Sequence, residues 1–237
     1  MTTLKTFADA HGITFPLLSD EGSKTITAWG ILNATATGRT AGIPYPGTFV
    51  IDPKNRIVSR AFEQAYTERD TAANVLARVA PGPAAKAGPN DVAGKHVTVH
   101  LGQSNTIAAP GHRILLTADV TPGRKIHVYA PGQADYIAVT LAVDASPNYK
   151  VAPPVFPASK PYVFGPQKET VRVYDAPFRI SQDLTLTLTP AMRQLAIAKG
   201  TLTITATLQY QACDDSLCFP PDAIPLSWKV SLVPIER

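Results

Sequence analysis

Between Thr201 and Leu232 the sequence reads TLTITATLQYQACDDSLCFPPDAIPLSWKVSL. Apolar and polar residues alternate on both sides of its centre, over 201–210 and again over 224–232, and this period of two is typical of half-buried β-strands. The segment between the two runs carries Cys213 and Cys218, the two cysteines of the chain. The stretch therefore predicts an antiparallel hairpin with one cysteine on each side of its tip.

The two cysteines can form a disulfide in such a hairpin. Facing residues on antiparallel strands have Cα atoms about 4.5–5.5 Å apart, which lies within the range that a disulfide needs. From these residues alone, the bond is either a redox-active pair or a structural staple. We expect no metal, because two cysteines without a Cys-x-x-Cys pair or a nearby histidine do not complete a tetrahedral site. No bound cofactor is expected either.

Composition and charge exclude several classes of protein. The chain has 237 residues, 45% of them hydrophobic, and a formal net charge of +4, which suits an ordinary globular protein. Its basic residues form no stripe or run, so we expect no nucleic-acid partner. It has no run of 18 apolar residues, so we expect no membrane insertion. Residues 1–10 lack the apolar stretch of a signal peptide, and none is predicted.

The residue pattern divides the chain into two unlike parts. Residues 1–80 mix helical spacing with short strands and predict an α/β domain, whose last helix would open at Thr67 and run to Val79. Proline, glycine and alanine dominate residues 81–94, which predicts a linker. Residues 95–237 show strand-like alternation between turn signals and predict a β-sandwich or barrel.

The first part resembles a known family over two segments. Residues 4–20 read LKTFADAHGITFPLLSD and residues 42–52 read GIPYPGTFVID; their order and spacing resemble the middle of a peroxiredoxin of the AhpC/TSA family, which has a thioredoxin-like fold. The resemblance implies a truncated domain, because the family's peroxidatic cysteine precedes this region and this chain has no cysteine before Cys213. Without that thiolate no peroxidase activity is expected. We expect the chain to be a fragment whose start lies upstream; the alternative is a relic domain.

The second part resembles the N-terminal domain of the thiol:disulfide interchange protein DsbD. Three segments carry this resemblance: 122–132, which reads PGRKIHVYAPG, the proline-rich 149–174, and the cysteine hairpin at 210–221. The resemblance implies an immunoglobulin-like β-sandwich that shuttles electrons outside the cytoplasm, in the periplasm. Its implied partners are a membrane thiol-disulfide reductase and thioredoxin-like proteins.

The same resemblance implies residue roles. Cys218 would form the mixed disulfide with a partner, and Cys213 would resolve it. A cap loop that shields the pair would carry Tyr162, Val163 and Phe164.

The residues beside the cysteines bear on reactivity. Asp214 and Asp215 are negative neighbours, which disfavour a thiolate, so we expect a slow exchange that depends on the partner. The sequence thus predicts a thiol-disulfide oxidoreductase associated with antioxidant defence. The alternative is a non-catalytic adaptor, with a structural disulfide and a relic peroxiredoxin domain.

Overall fold

The computed structural model describes residues 2–63, 68–79, 90–133, 136–164 and 169–235. Contacts between residues divide the chain into two units. One comprises Met1–Thr48 and Phe62–Tyr66, and the other comprises Phe49–Ala61 and Thr67–Arg237.

The first unit contains short helices joined by turns. Helix α1 spans Thr2–Ala10, helix α2 spans Lys24–Ala28, and 3₁₀ turns cover Glu21–Ser23 and Gly38–Thr40. The carboxylate of Asp20 accepts hydrogen bonds from two backbone N–H groups at the start of α2, at 2.9 and 3.0 Å, and so satisfies donors that have no partner within the helix.

A two-stranded sheet follows, formed by β1 (Gly47–Ile51) and β2 (Ile57–Phe62). Among the described residues up to position 63, no hydrophobic side chain is buried. Phe15 and Leu18 are 65% and 89% exposed. The thioredoxin-like part is therefore present only in part, which confirms that prediction.

The second unit consists mostly of strands. Its helices are α3 (Ala72–Val79) and α4 (Pro190–Ile197). Besides residues 49–51 of β1 and 57–61 of β2, its strands are β3 (Arg69–Asp70), β4 (Asp91–Ala93), β5 (Val97–Gln103), β6 (Ile107–Ala108), β7 (His112–Pro122), β8 (His127–Tyr129), β9 (Thr140–Val143), β10 (Tyr149–Val151), β11 (Lys160–Phe164), β12 (Glu169–Tyr174), β13 (Phe178–Leu186), β14 (Thr201–Tyr210), β15 (Ala212–Cys213) and β16 (Asp222–Leu232). Within the described ranges, no helix has the length and apolar character needed to span a bilayer.

Two sheets of this unit share one hydrophobic core. The first has the order β10-β13-β7-β5-β4 with β3 beside β7, and the second has the order β6-β16-β14-β9. Leu116 and Ile180 of the first sheet lie in the same buried cluster as Ile204 and Trp228 of the second. The indole N–H of Trp228 donates to the carbonyl of Gly102 at 2.9 Å and so joins the two sheets. The predicted immunoglobulin-like β-sandwich is confirmed.

The predicted hairpin is also present. Strands β14 and β16 pair antiparallel from Thr201↔Ser231 to Tyr210↔Asp222, and alternate residues of both strands are buried. Beyond Tyr210 the chain leaves this sheet, because β15 pairs with β8 instead. A third sheet, ordered β11-β12-β8-β15, therefore receives Cys213.

Two boundaries differ from the sequence prediction. Residues 69–70 form a strand that pairs in parallel with β7, and the last helix of the predicted first domain begins only at Ala72. Its N-cap is Thr71, whose hydroxyl accepts a hydrogen bond from the N–H of Asn74 at 3.0 Å.

Residues 91–93, predicted as linker, form the edge strand β4 against β5; residues 81–89 lie outside the described residues. Strands of two or three residues are too short to show an alternating pattern in the sequence. Whether such residues form a strand depends on their pairing with a neighbouring strand. The division at 1–80 and 95–237 stays a prediction.

Candidate functional site

The two cysteines are joined by a disulfide at the tip of the hairpin. Their Cα atoms lie 4.0 Å apart, and the two residues form an antiparallel β-bridge. The four residues between them close a tight turn, in which the N–H of Asp214 donates to the carbonyl of Leu217 at 2.9 Å. The facing geometry predicted from the sequence is confirmed.

The side chain of Asp214 holds this turn together. Its Oδ1 accepts the N–H groups of Ser216 and Leu217 at 2.7 and 2.9 Å. The hydrogen bond from Leu217 makes the largest contribution to lowering the pKa of Asp214 below its usual value, and the bond from Ser216 makes the next largest. The carboxylate therefore stays charged at neutral pH, beside the disulfide.

The two cysteines differ in their access to solvent. Cys213 is 0% exposed and packs with Tyr129, Val171 and Val173 in a small cluster separate from the main core. Cys218 is half-buried at the edge of this cluster. A macromolecular partner can therefore approach Cys218 more readily than Cys213.

Tyr129 lies directly against the disulfide. Its hydroxyl oxygen is 3.4 Å from the Sγ of Cys218 and 3.4 Å from the Sγ of Cys213. Its ring stacks on that of Tyr136, with centroids 4.2 Å apart, and the hydroxyl of Tyr136 donates to Glu169 at 2.7 Å. The pKa of Tyr129 is raised to about 12, mainly by burial and to a lesser extent by the nearby Tyr136 and Glu169.

Of the three residues predicted for the cap loop, Tyr162 reaches the cysteine hairpin. Its hydroxyl donates to Oδ1 of Asp215 at 2.9 Å. However, Tyr162, Val163 and Phe164 lie on strand β11, paired with β12, and not in a loop. Successive residues of a strand point to opposite faces, and Val163 is accordingly 61% exposed. The side chain of Phe164 lies outside the described residues.

His127 lies opposite Cys213 in the pairing of β8 with β15. Its ring is 4.5 Å from the ring of Tyr162 and 5.8 Å from that of Tyr129, measured between centroids. Burial lowers the pKa of His127. The nearby Asp215, Asp175 and Asp214 oppose this shift, and Lys160 adds to it. We therefore treat His127 as neutral at neutral pH.

We expect acid to destabilise the sandwich through His127. Burial lowers the pKa of His127 below 6.5 in the folded chain. Just below pH 6.5, the histidine is therefore protonated to a greater extent in the unfolded chain than in the folded chain. The free energy of unfolding is then highest above pH 6.5 and falls as the pH drops from 6.5 toward the folded pKa. His127→Gln should flatten this dependence in urea titrations between about pH 7.5 and 5.5.

His112, whose pKa burial also lowers, should supply part of the pH dependence that remains in the His127→Gln variant. An unaltered slope in His127→Gln would contradict this account of the histidine.

Sequence reasoning missed Tyr129 and His127 as members of the site. Both stand in the quoted segment 122–132, and the alternation there predicts a strand. No local signal says that this strand lies next to the cysteine hairpin, because the pairing joins residues more than 80 positions apart.

Two family models match the chain. The one described as "Thiol:disulfide interchange protein DsbD, N-terminal" matches residues 99–225, more than half of the chain. The one described as "AhpC/TSA family" matches residues 1–60. Together with the disulfide, these matches support a role related to thiol-disulfide redox chemistry.

Two curated proteins match 56 residues of the chain. "Putative peroxiredoxin Rv2521" and "Putative peroxiredoxin MT2597", from two strains of Mycobacterium tuberculosis, are each 45% identical over 56 residues. These residues make up 23% of this chain and 36% of each relative. The chain thus spans little more than a third of the length of these relatives.

Two solved structures resemble the chain at low identity. The N-terminal periplasmic domain of ScsB from Proteus mirabilis gives a TM-score of 0.40 at 12% identity, covering 63% of this chain and 51% of that one. The DsbD N-terminal domain of Neisseria meningitidis in the reduced form gives 0.33 at 12% identity, covering 55% and 83%.

Proposed function

Because the chain belongs to the family of DsbD N-terminal domains, we propose that it is a thiol-disulfide oxidoreductase that exchanges electrons with partner proteins through Cys213 and Cys218. The observation that carries the proposal is the asymmetry of the pair. One sulfur belongs to a half-buried residue at a hairpin tip, and the other belongs to a fully buried one. Such an arrangement directs a partner's attack to Cys218.

Reduction of the pair proceeds in two displacements. A partner thiolate attacks the Sγ of Cys218; the disulfide breaks, and its electron pair leaves with the sulfur of Cys213 as a thiolate. The partner's second thiolate then attacks the partner's own sulfur in this mixed disulfide and releases the Cys218 thiolate. The partner ends as a disulfide, and the chain holds two electrons as a dithiol.

The reduced pair passes these electrons on by the reverse route. The Cys218 thiolate attacks one sulfur of an oxidised protein's disulfide; that bond breaks, the other sulfur leaves as a thiolate, and a mixed disulfide forms. Cys213 then attacks Cys218, which restores the intramolecular bond and releases the partner as a dithiol. Asp214 and Asp215 disfavour free thiolate, so exchange is slow until a partner docks.

The partners in this proposal are a membrane thiol-disulfide reductase on the donor side and thioredoxin-like proteins on the acceptor side. The location is the periplasm, since disulfides persist in oxidising compartments, and the ScsB domain is described as periplasmic. A role in antioxidant defence rests on the adjoining match to the AhpC/TSA family. This sequence has no cysteine before Cys213.

A second candidate is an adaptor in which the disulfide is structural. The observation that favours it is the burial of Cys213 among Tyr129, Val171 and Val173, since buried disulfides commonly serve to hold a fold together. This candidate predicts a pair that partner dithiols do not open.

The experiment that tests the proposal mixes the reduced chain with an oxidised thioredoxin-like protein and alkylates free thiols after quenching. We expect mass spectrometry to show that the chain loses two free thiols as the partner gains two. A chain whose two thiols persist with the protein partner, while a small-molecule disulfide oxidises them, would support the adaptor and overturn the oxidoreductase.

A further inference from the structure

The proposed exchange creates a charge in a buried place. When a partner attacks Cys218, the sulfur of Cys213 leaves as a thiolate, and Cys213 is 0% exposed. An anion away from water is costly unless a hydrogen-bond donor meets it. The rate of the step therefore depends on a donor already in place beside this sulfur.

Tyr129 provides such a donor. Its hydroxyl lies 3.4 Å from the Sγ atoms of both cysteines. The sulfurs of a disulfide carry no hydrogen, so the single O–H of Tyr129 is the donor available to either sulfur. We propose, on the basis of the proposed function, that Tyr129 is a catalytic residue. Its O–H donates a hydrogen bond to the sulfur of Cys213 when that sulfur leaves as a thiolate.

The hydroxyl does this without changing its own protonation. Burial raises the pKa of Tyr129 to about 12, so the proton stays on oxygen throughout the neutral range. No proton or electron passes to Tyr129; the S–S electron pair ends on Cys213, and the new S–S bond joins Cys218 to the partner. The stack with Tyr136, itself bonded to Glu169, holds the ring in position before the sulfur leaves.

Other charged groups near the site act differently from Tyr129. They come from each element packed around it: Asp214 and Asp215 in the hairpin, neutral His127 on β8, Lys160 on β11, Glu169 on β12, and Asp175 just after β12. An ionised carboxylate accepts hydrogen bonds and donates none, and its charge opposes a thiolate. The Tyr129 hydroxyl offsets this opposition at the sulfur itself.

The test compares Tyr129→Phe with Tyr210→Phe in the full chain. Tyr210 is a matched control, because it is also buried with a pKa raised to about 12, but its hydroxyl donates to Asp222 at 2.9 Å. The readouts are the second-order rate of reduction by dithiothreitol across pH and the thiolate absorbance of the reduced chain. Tyr129→Phe should slow reduction about tenfold or more, the loss expected for one hydrogen bond to a charged group.

Two further readouts separate a catalytic role from a structural one. In Tyr129→Phe the apparent pKa of the Cys213 thiol should rise by about one unit or more. The reduction potential of the pair at neutral pH should stay near that of the unmodified chain, because both sulfurs are then mostly thiols. Tyr210→Phe should change neither the rate nor the pH profile.

The outcomes distinguish this inference from the proposed function. If the unmodified chain exchanges with its partner and Tyr129→Phe matches Tyr210→Phe in rate and pH profile, the role of Tyr129 is overturned and the oxidoreductase stands. If the unmodified chain does not exchange, both fall. Should Tyr129→Phe fail to fold, ¹³Cζ-tyrosine NMR of the unmodified reduced chain replaces it: the Tyr129 signal should shift with the midpoint of thiolate formation, and an invariant signal would overturn the role.

Discussion

Cys213→Ser is expected to trap a mixed disulfide between this chain and a thioredoxin-like partner, whereas Cys218→Ser is expected to reduce exchange to the uncatalysed background. The half-buried Cys218 is the sulfur that a partner reaches. Without Cys213, the bond between Cys218 and the partner has no resolving thiolate and accumulates. Non-reducing electrophoresis and intact-mass measurement detect the covalent complex.

The control for this pair of variants is Ser216→Ala, in the same turn. Ser216 contributes a backbone N–H to Asp214, which the substitution keeps, so exchange should continue at the original rate. The assigned roles would be contradicted if Cys218→Ser trapped the partner as well as Cys213→Ser did, because Cys213 would then be the attacking sulfur.

Trp228→Ala is expected to be the most destabilising substitution in the sandwich. The side chain is 3% exposed, lies in the core cluster that both sheets share, and donates its indole N–H to Gly102 across the sheets. Removing a buried tryptophan leaves a cavity and costs about 3–5 kcal/mol. Urea unfolding monitored by circular dichroism should show this loss as a lower midpoint with an unchanged slope.

The neighbouring Ser227 gives a matched control on the same strand. It points to solvent, so Ser227→Ala should change the free energy of unfolding by less than about 0.5 kcal/mol. Trp228→Phe should lie between the two, since it keeps most of the apolar volume and loses the indole hydrogen bond. A loss below about 1 kcal/mol in Trp228→Ala would contradict the shared core.

The sequence is sufficient to predict the hairpin of β14 and β16, because its information is local. Alternation over Thr201–Tyr210 fixes which residues face the core, and a shift of one residue would expose all of them. The two cysteines then face each other as a consequence of the register. Trp228 falls on the buried face by the same period.

The surroundings of the disulfide could not be predicted in the same way. Strand β15 has two residues and pairs with β8 across a long sequence separation, so neither its length nor its partner shows in the local pattern. This pairing brings Tyr129 and His127 to the site. The segment around Tyr162 was expected to be a loop because of the family resemblance, but it pairs with β12 through Tyr162↔Val171. These residues are close in sequence, so this strand is a local hairpin that the expected loop obscured.

The reduction potential of the Cys213–Cys218 pair tests the central claim most directly. The full chain is equilibrated in glutathione buffers of graded ratio, free thiols are alkylated, and the oxidised fraction is read by mass spectrometry. Exchange with protein partners requires a potential within the range of known exchangers, about −120 to −270 mV. A value below about −300 mV, typical of structural disulfides, would contradict the oxidoreductase and leave the adaptor.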